Sequence, residues 1–261
     1  MKIERPVFIV GPPRSGTTML GRIFAVHSEV AFWDEPRTIW EIGNSFGRSD
    51  DRLTEADLDS EIAGKIRARF ERFLKKSGRN RFAEKTPTNV LRIPFLVAAF
   101  PDCRIVFVSR SGPASVASVL KMRKKPPRLS RLWTRLTETP ITGIPALLMR
   151  LFNRRRFLLR PPGWQSFSDN PIPEAVQRWK AADEIARQDL ENLPGDSWIE
   201  VSYESLVKEP RAHLKEIFEF CDLEASDSVF DFADSMIDPA RAHPEIPEEI
   251  IKAFHEPTGS V

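Results

Sequence analysis

Four apolar residues, Val7–Val10, stop abruptly at Gly11. A run this short, β-branched and ended by glycine predicts a buried strand. From Gly16 to His27 the spacing changes: Met19, Leu20, Ile23, Phe24 and Val26 fall roughly on one helical face. The same period runs through Leu58, Ile62, Ile66, Phe70 and Phe73, and Thr54 with Asp57 has capping-box spacing, so a helix is predicted over Glu55–Lys76. The pattern also predicts strands at Arg81–Thr86, Arg104–Ser109 and Trp198–Ser202. Helices are predicted at Val90–Phe100 (stopped by Pro101), Pro113–Met122, Pro173–Leu193 and Pro210–Cys221. Strands alternating with helices of this length place the chain in the α/β class, as a parallel sheet covered by helices on both faces.

The alternation fails between Lys124 and Pro173, a proline-rich stretch with two tryptophans and apolar patches such as Ile144–Leu151. A linker rarely carries so much apolar surface, so this reads as a largely helical or irregular insertion within a single domain over 1–261. Composition narrows the class further. With 41% apolar residues, 29% charged residues and 18 phenylalanines, the chain is no disordered polyelectrolyte. No apolar run reaches the ~18 residues of a spanning helix, and the N-terminal apolar run is too short for a secretory signal, so a cytoplasmic location is expected. Cys103 and Cys221 lack any CxxC spacing, and there is no HExxH, Cys/His cluster or dense Asp run, so no metal is expected. The net charge of +2 conceals two unlike parts: Lys121–Gly163 carries +11, the remainder −9.

Chemistry concentrates where the first strand ends. VFIV-GPPRSGTT-ML is strand, glycine-bearing loop, then helix, a pattern that points backbone N–H groups and a helix N-terminus at an anion. Gly11 and Gly16 have the spacing of a P-loop, GxxxxGK[ST], but Thr17 replaces the lysine while Thr18 holds the hydroxyl position. That loss disfavours a Mg-nucleoside-triphosphate reaction, and Arg14 inside the loop is the available cation. The fold expected is therefore P-loop NTPase-like, and a tight turn without a ligand is the bland reading of the same residues.

Several segments together resemble the sulfotransferases that use 3′-phosphoadenosine 5′-phosphosulfate (PAPS). PRSGTTML is similar to their 5′-phosphosulfate loop. RIVFVSRSGPASVASVL is similar to their 3′-phosphate segment, with Arg110 and, eight residues on, Ser118. EVSYESLVKEPRAHLKEIFEF resembles their tyrosine–glutamate–leucine motif, and AEKTPTN resembles a lysine-bearing segment of bacterial members. Arg14 stands where the cytosolic branch has lysine and the tyrosylprotein branch has arginine, so the chain leans toward the latter. The resemblance implies that Arg14, Ser15, Gly16, Thr17 and Thr18 hold the 5′-phosphosulfate. It further implies that Arg110 and Ser118 hold the 3′-phosphate, that Tyr203 meets the adenine, and that Lys85 is a second catalytic cation. Met19 departs from the adenine-contacting tryptophan of cytosolic members. Each residue also has a plainer reading: Lys85 as a solvated lysine, Ser118 as a helix-packing residue, Tyr203 as a half-buried aromatic.

An acceptor hydroxyl must lose a proton as it attacks, so a positioned base is expected. His27, Asp34, Glu35, Glu41 and Glu84 are the candidates. The tyrosylprotein branch places its base glutamate twenty-one residues after the loop arginine, which here is Glu35, with His27 second. The activity implied is in-line transfer of a sulfuryl group from PAPS to a hydroxyl, or less favourably an amine, of an unidentified small-molecule or lipid-like acceptor. A P-loop kinase and a non-catalytic nucleotide-binding module docking on membrane are the alternatives. The basic stretch leaves three uses open: a lid gripping a large or acidic acceptor, peripheral membrane contact through 124–160, or a solvated face. No nucleic-acid motif accompanies its charge.

Overall fold

The computed structural model describes residues 2–43, 48–123, 159–162, 170–241 and 244–256. The core is a five-stranded sheet: β1 (Val7–Val10), β2 (Val30–Asp34), β3 (Arg81–Lys85), β4 (Arg104–Ser109) and β5 (Trp198–Ser202). Every pairing is parallel, and the strand order is β2-β3-β1-β4-β5. Because β1 lies between β3 and β4, the chain leaves β1 for one edge and later returns to its other side. Open α/β sheets of this kind bind ligands beyond the carboxyl ends of the strands at that switch point.

Side chains alternate along each strand, and both faces are buried. Phe8, Val10, Phe82, Ile105 and Phe107 face one apolar cluster. It is closed by α2 (Arg37–Trp40), α3 (Ser60–Ser77), α4 (Ile93–Ala99) and α6 (Pro171–Glu191). Val7, Ile9, Ala83, Val106 and Val108 face the other cluster. That side is covered by α1 (Thr17–Val26), α7 (Tyr203–Lys208), α8 (Pro210–Phe220) and α9 (Asp227–Met236). A third, smaller cluster joins α5 (Gly112–Arg123), α6 and α10 (Glu248–His255).

Three local expectations are corrected. Thr54 and Asp57 do form a capping box, but it closes a single 3-10 turn, Glu55–Asp57. The long helix begins separately at Ser60, capped by Asp59, whose side chain accepts the Ile62 N–H. Val90–Phe100 is likewise two pieces, a 3-10 turn Pro87–Leu91 and α4 from Ile93. Pro94 suits the first helical turn, where its missing N–H leaves nothing unpaired, so the helix starts there. β2 was not anticipated, because its apolar run is brief and it begins four residues after α1 ends. The two cysteines are free and buried in different clusters. Among the described residues, no helix is long and apolar enough to cross a membrane.

Most of the basic stretch, 124–158 and 163–169, lies outside the described residues, including Ile144–Leu151. Its far end is firmly held. Leu159 is buried in the first cluster, and Arg178 donates to its carbonyl at 2.6 Å. Arg160 pairs with Asp51 at 3.0 Å and its N–H reaches the other oxygen of that carboxylate at 2.9 Å. Arg160 is thus a structural cation rather than part of a free basic surface.

Candidate functional site

The loop between β1 and α1 is shaped by two glycines. A Cβ on Gly11 would come within 2.4 Å of the Val108 carbonyl oxygen and 2.6 Å of Ser15 Oγ, so the loop lies flat against the end of β4. Gly16 has φ +102° and caps α1 without a side-chain hydrogen bond. The first turn of α1 therefore presents backbone N–H groups with no capping side chain, the arrangement that attracts anions. Ser15 is fully buried and its Oγ has no hydrogen-bond partner among the described residues. An orphaned buried hydroxyl next to a bare helix N-terminus fits an anionic group such as the phosphosulfate of PAPS.

Four of the residues singled out above converge around this loop. Arg110, just past β4, donates to the Arg14 carbonyl at 2.8 Å. Arg14 Nε donates to Ser118 Oγ at 3.1 Å, joining the loop to the second turn of α5. The Arg110 guanidinium lies 4.2 Å from the centroid of the Tyr203 ring. Tyr203 itself is 6% exposed and fills the space a Gly16 side chain would need, its Cδ2 being 2.4 Å from that Cβ position. It is a wedge between loop and arginine. Glu204 steadies the same corner by accepting the Ser111 N–H at 3.1 Å.

On the opposite side of β1, the end of β3 carries the second cluster. Lys85 is 1% exposed, so the solvated-lysine reading is overturned. Its ammonium lies 2.8 Å from Asp34 Oδ1 and 2.9 Å from Glu35 Oε1. The other Glu35 oxygen is held by Arg37, with Nη2 at 2.9 Å and Nε at 3.2 Å. Glu35 has φ +58°, an uncommon conformation for a residue with a Cβ. Its N–H donates to the Lys85 carbonyl at 2.9 Å, which holds the backbone in that form. Backbone strain of this sort, about 1–3 kcal/mol, survives where surrounding contacts over-determine it and is commonest at functional sites.

The remaining base candidates are placed elsewhere. His27 sits at the far end of α1, 2% exposed and stacked on Phe218. Its Nε2 meets the Glu224 carbonyl at 2.9 Å and its Nδ1 accepts the Glu29 N–H at 3.1 Å, so it serves the helix end. Glu41 closes the end of α2. Glu84 is entirely buried, accepting from Thr86 Oγ1 at 2.9 Å and Asn89 Nδ2 at 2.6 Å. Arg37 was not anticipated from the sequence; a base two residues after the Asp34-Glu35 acid pair was its one signal.

Burial pushes the Glu84 carboxyl up from 4.5 to about 7, against the lowering effect of its hydrogen bonds and of Lys85. A carboxyl whose folded value is raised holds its proton more tightly in the native chain than in the unfolded one. Folding then takes up a proton between pH 4.5 and about 7, and stability declines as pH rises through that window, by roughly 3 kcal/mol. Glu84→Gln cannot ionise, so its stability relative to wild type is expected to increase from about pH 5 to about pH 8 in paired urea denaturations. A difference that stays constant with pH would refute the assignment.

With this geometry in hand, the likeness to known proteins is specific. A family model described as the sulfotransferase family matches residues 6–139 and 147–227. Protein-tyrosine sulfotransferase of Drosophila melanogaster is 24% identical over 232 residues, covering 85% of this chain and 39% of the relative. Protein-tyrosine sulfotransferase A of Caenorhabditis elegans is 25% identical over 232 residues, covering 85% and 51%. Nodulation protein NoeE of Sinorhizobium fredii is 25% identical over 206 residues, covering 66% and 48%. The chain thus spans about half or less of the length of these relatives. Among solved structures, the sulfotransferase domain from the curacin biosynthetic pathway superposes with a TM-score of 0.59 at 16% identity, covering 98% of each chain. The sulfotransferase domain from the Synechococcus PCC 7002 olefin synthase gives 0.56 at 18% identity, covering 98% and 95%. Both likenesses concern the fold.

Proposed function

The chain belongs to the sulfotransferase family, and from that premise we propose that it transfers a sulfuryl group from PAPS to a hydroxyl of its acceptor. The observation that carries this reading is the pair of cation clusters flanking β1: Arg14 and Arg110 on one side, Lys85 with Glu35 on the other. PAPS, when bound, supplies a sulfuryl group whose bond to the 5′-phosphate oxygen breaks as the acceptor oxygen bonds to sulfur.

The chain's own part is positioning and electrostatic stabilisation. Backbone N–H groups of Ser15, Gly16, Thr17 and Thr18 would hold the 5′ end, with Arg14 adding a charge whose planar fork can hold two oxygens. Arg110 and Ser118 would hold the 3′-phosphate, exchanging their present contacts with Arg14 for it. Lys85 would place its ammonium against the charge that develops on the leaving oxygen. Glu35 would take the acceptor's proton. Each of its oxygens is engaged by a cation and keeps a further lone pair for that proton, and Lys85 can turn from it toward the donor while keeping Asp34. The names of the relatives make a phenolic hydroxyl a sensible first acceptor to try.

Calorimetry tests the donor half directly. The chain is expected to bind 3′-phosphoadenosine 5′-phosphate more tightly than Mg-ATP, because it has no P-loop lysine and has Arg110 for a 3′-phosphate. Arg110→Ala should weaken that bisphosphate about 10–100-fold and adenosine 5′-phosphate about threefold or less, as expected for loss of a charge-assisted bond. Tight Mg-ATP binding with none for the bisphosphate would instead support a kinase.

A further inference from the structure

We propose that Glu84 is a positioning residue for the Lys85–Glu35 pair, acting through the Thr86–Asn89 turn. In part this rests on the function proposed above, since Lys85 and Glu35 matter to catalysis only if that reading holds.

Glu84, Lys85, Thr86 and Asn89 are each 1% exposed or less. A buried carboxyl is costly unless its oxygens are hydrogen-bonded, and both oxygens of Glu84 are. Thr86 Oγ1 donates to one at 2.9 Å, Asn89 Nδ2 to the other at 2.6 Å. Successive strand residues point to opposite faces, so Glu84 works from the side of the sheet away from Lys85. It closes a loop of chain on itself: the carboxyl binds residues two and five positions ahead, and Asn89 N–H also donates to the Thr86 carbonyl at 2.9 Å.

That small knot fixes the end of β3 at the point where two contacts to the proposed base originate. One is the Lys85 ammonium, 2.9 Å from Glu35 Oε1. The other is the Lys85 carbonyl, 2.9 Å from the Glu35 N–H, which holds Glu35 at φ +58°. A strained backbone relaxes if its anchor is allowed to move, and the anchor here is the peptide between Lys85 and Thr86. The bonds of Glu84 run to Thr86 and Asn89, so its effect on Glu35 passes through that peptide.

The test is built on the Glu35 amide, which reports the anchor without any ligand. By hydrogen exchange, Glu84→Ala is expected to speed Glu35 amide exchange about tenfold or more while the β1 and β4 amides keep their protection. Thr86→Val, which removes one hydrogen bond and nearly preserves shape, should do the same to a smaller extent. Glu84→Gln, able to accept from Asn89 and to donate to Thr86, should restore slow exchange. In PAPS desulfation, Glu84→Ala should lower kcat about 10–100-fold, as misplaced reacting groups do. Its affinity for 3′-phosphoadenosine 5′-phosphate should change about threefold or less, because the donor cations lie across β1. If Glu84→Ala fails to fold, Thr86→Val decides. A folded variant of either kind with wild-type Glu35 exchange overturns the proposal, as does faster exchange with undiminished kcat. If the wild type does not desulfate PAPS at all, the functional reading fails, while the exchange result still decides whether Glu84 anchors Glu35.

Discussion

Lys85→Met is expected to reduce sulfuryl transfer from PAPS by about 10²–10³-fold, the effect of removing one preorganised group from developing negative charge. Methionine keeps the unbranched stem that fills the buried channel and deletes only the ammonium. Removing one partner of a fully buried ion pair costs about 3–5 kcal/mol. Here the cost should be smaller, because the Asp34 side chain is 60% exposed and Glu35 retains Arg37. The variant should therefore fold. Donor affinity should fall far less than turnover, since Arg14 and Arg110 remain, and a loss confined to turnover marks an interaction made in the transition state. Single-turnover desulfation of labelled PAPS, with calorimetry on the product bisphosphate, measures both quantities. A folded Lys85→Met protein turning over at the wild-type rate would remove Lys85 from the chemistry.

Gly16→Ala should be strongly damaging to both stability and donor binding. At φ +102° an alanine is strained, and its Cβ would meet Tyr203 Cδ2 at 2.4 Å. The obstacle is a ring rather than the loose end of a flexible chain, and behind that ring lies the Arg110 guanidinium. Strain and overpacking together should cost about 2–5 kcal/mol, lowering Tm by about 5–15 °C. Affinity for 3′-phosphoadenosine 5′-phosphate should fall about tenfold or more, because displacing Tyr203 also moves the proposed 3′-phosphate cation. Pairing the change with Tyr203→Ala separates the two causes. The clash component disappears in the double variant and the φ component stays, so the double variant should lose less than the sum of the two single-variant losses. Strict additivity would show that the ring is not what the methyl meets.

Much of this site was legible in the chain itself. GPPRSGTT after VFIV carries the local pattern of an anion loop in its glycine spacing, hydroxyls and following helix. Arg110 at the end of RIVFVS and Lys85 after RFAE could be placed at strand termini by pattern alone. Charge was less reliable: Lys85 looks like any solvated lysine until its burial is known, and Arg160, counted in a basic run, is tied to Asp51. β2 was missed although it carries Asp34 and leads into Glu35, because a short edge strand close behind a helix leaves little periodic signal.

The sequence by itself determined β1, β3, β4 and β5, the helices α1, α3, α4, α5, α6 and α8, and the residue types at the loop, but not β2 or the helices α2, α7, α9 and α10. These depend on alternation, helical period and turn chemistry, all of which act over a few neighbouring residues. Tertiary structure alone decided the strand order, the pairing of Lys85 with a glutamate fifty positions earlier, and the wedge of Tyr203 against Gly16. It also decided between His27 and Glu35 as neighbour of that lysine, closing one imidazole against backbone at the far end of α1. Such contacts arise from how the sheet is threaded, and no local pattern of apolar and polar residues encodes which strand lies beside which.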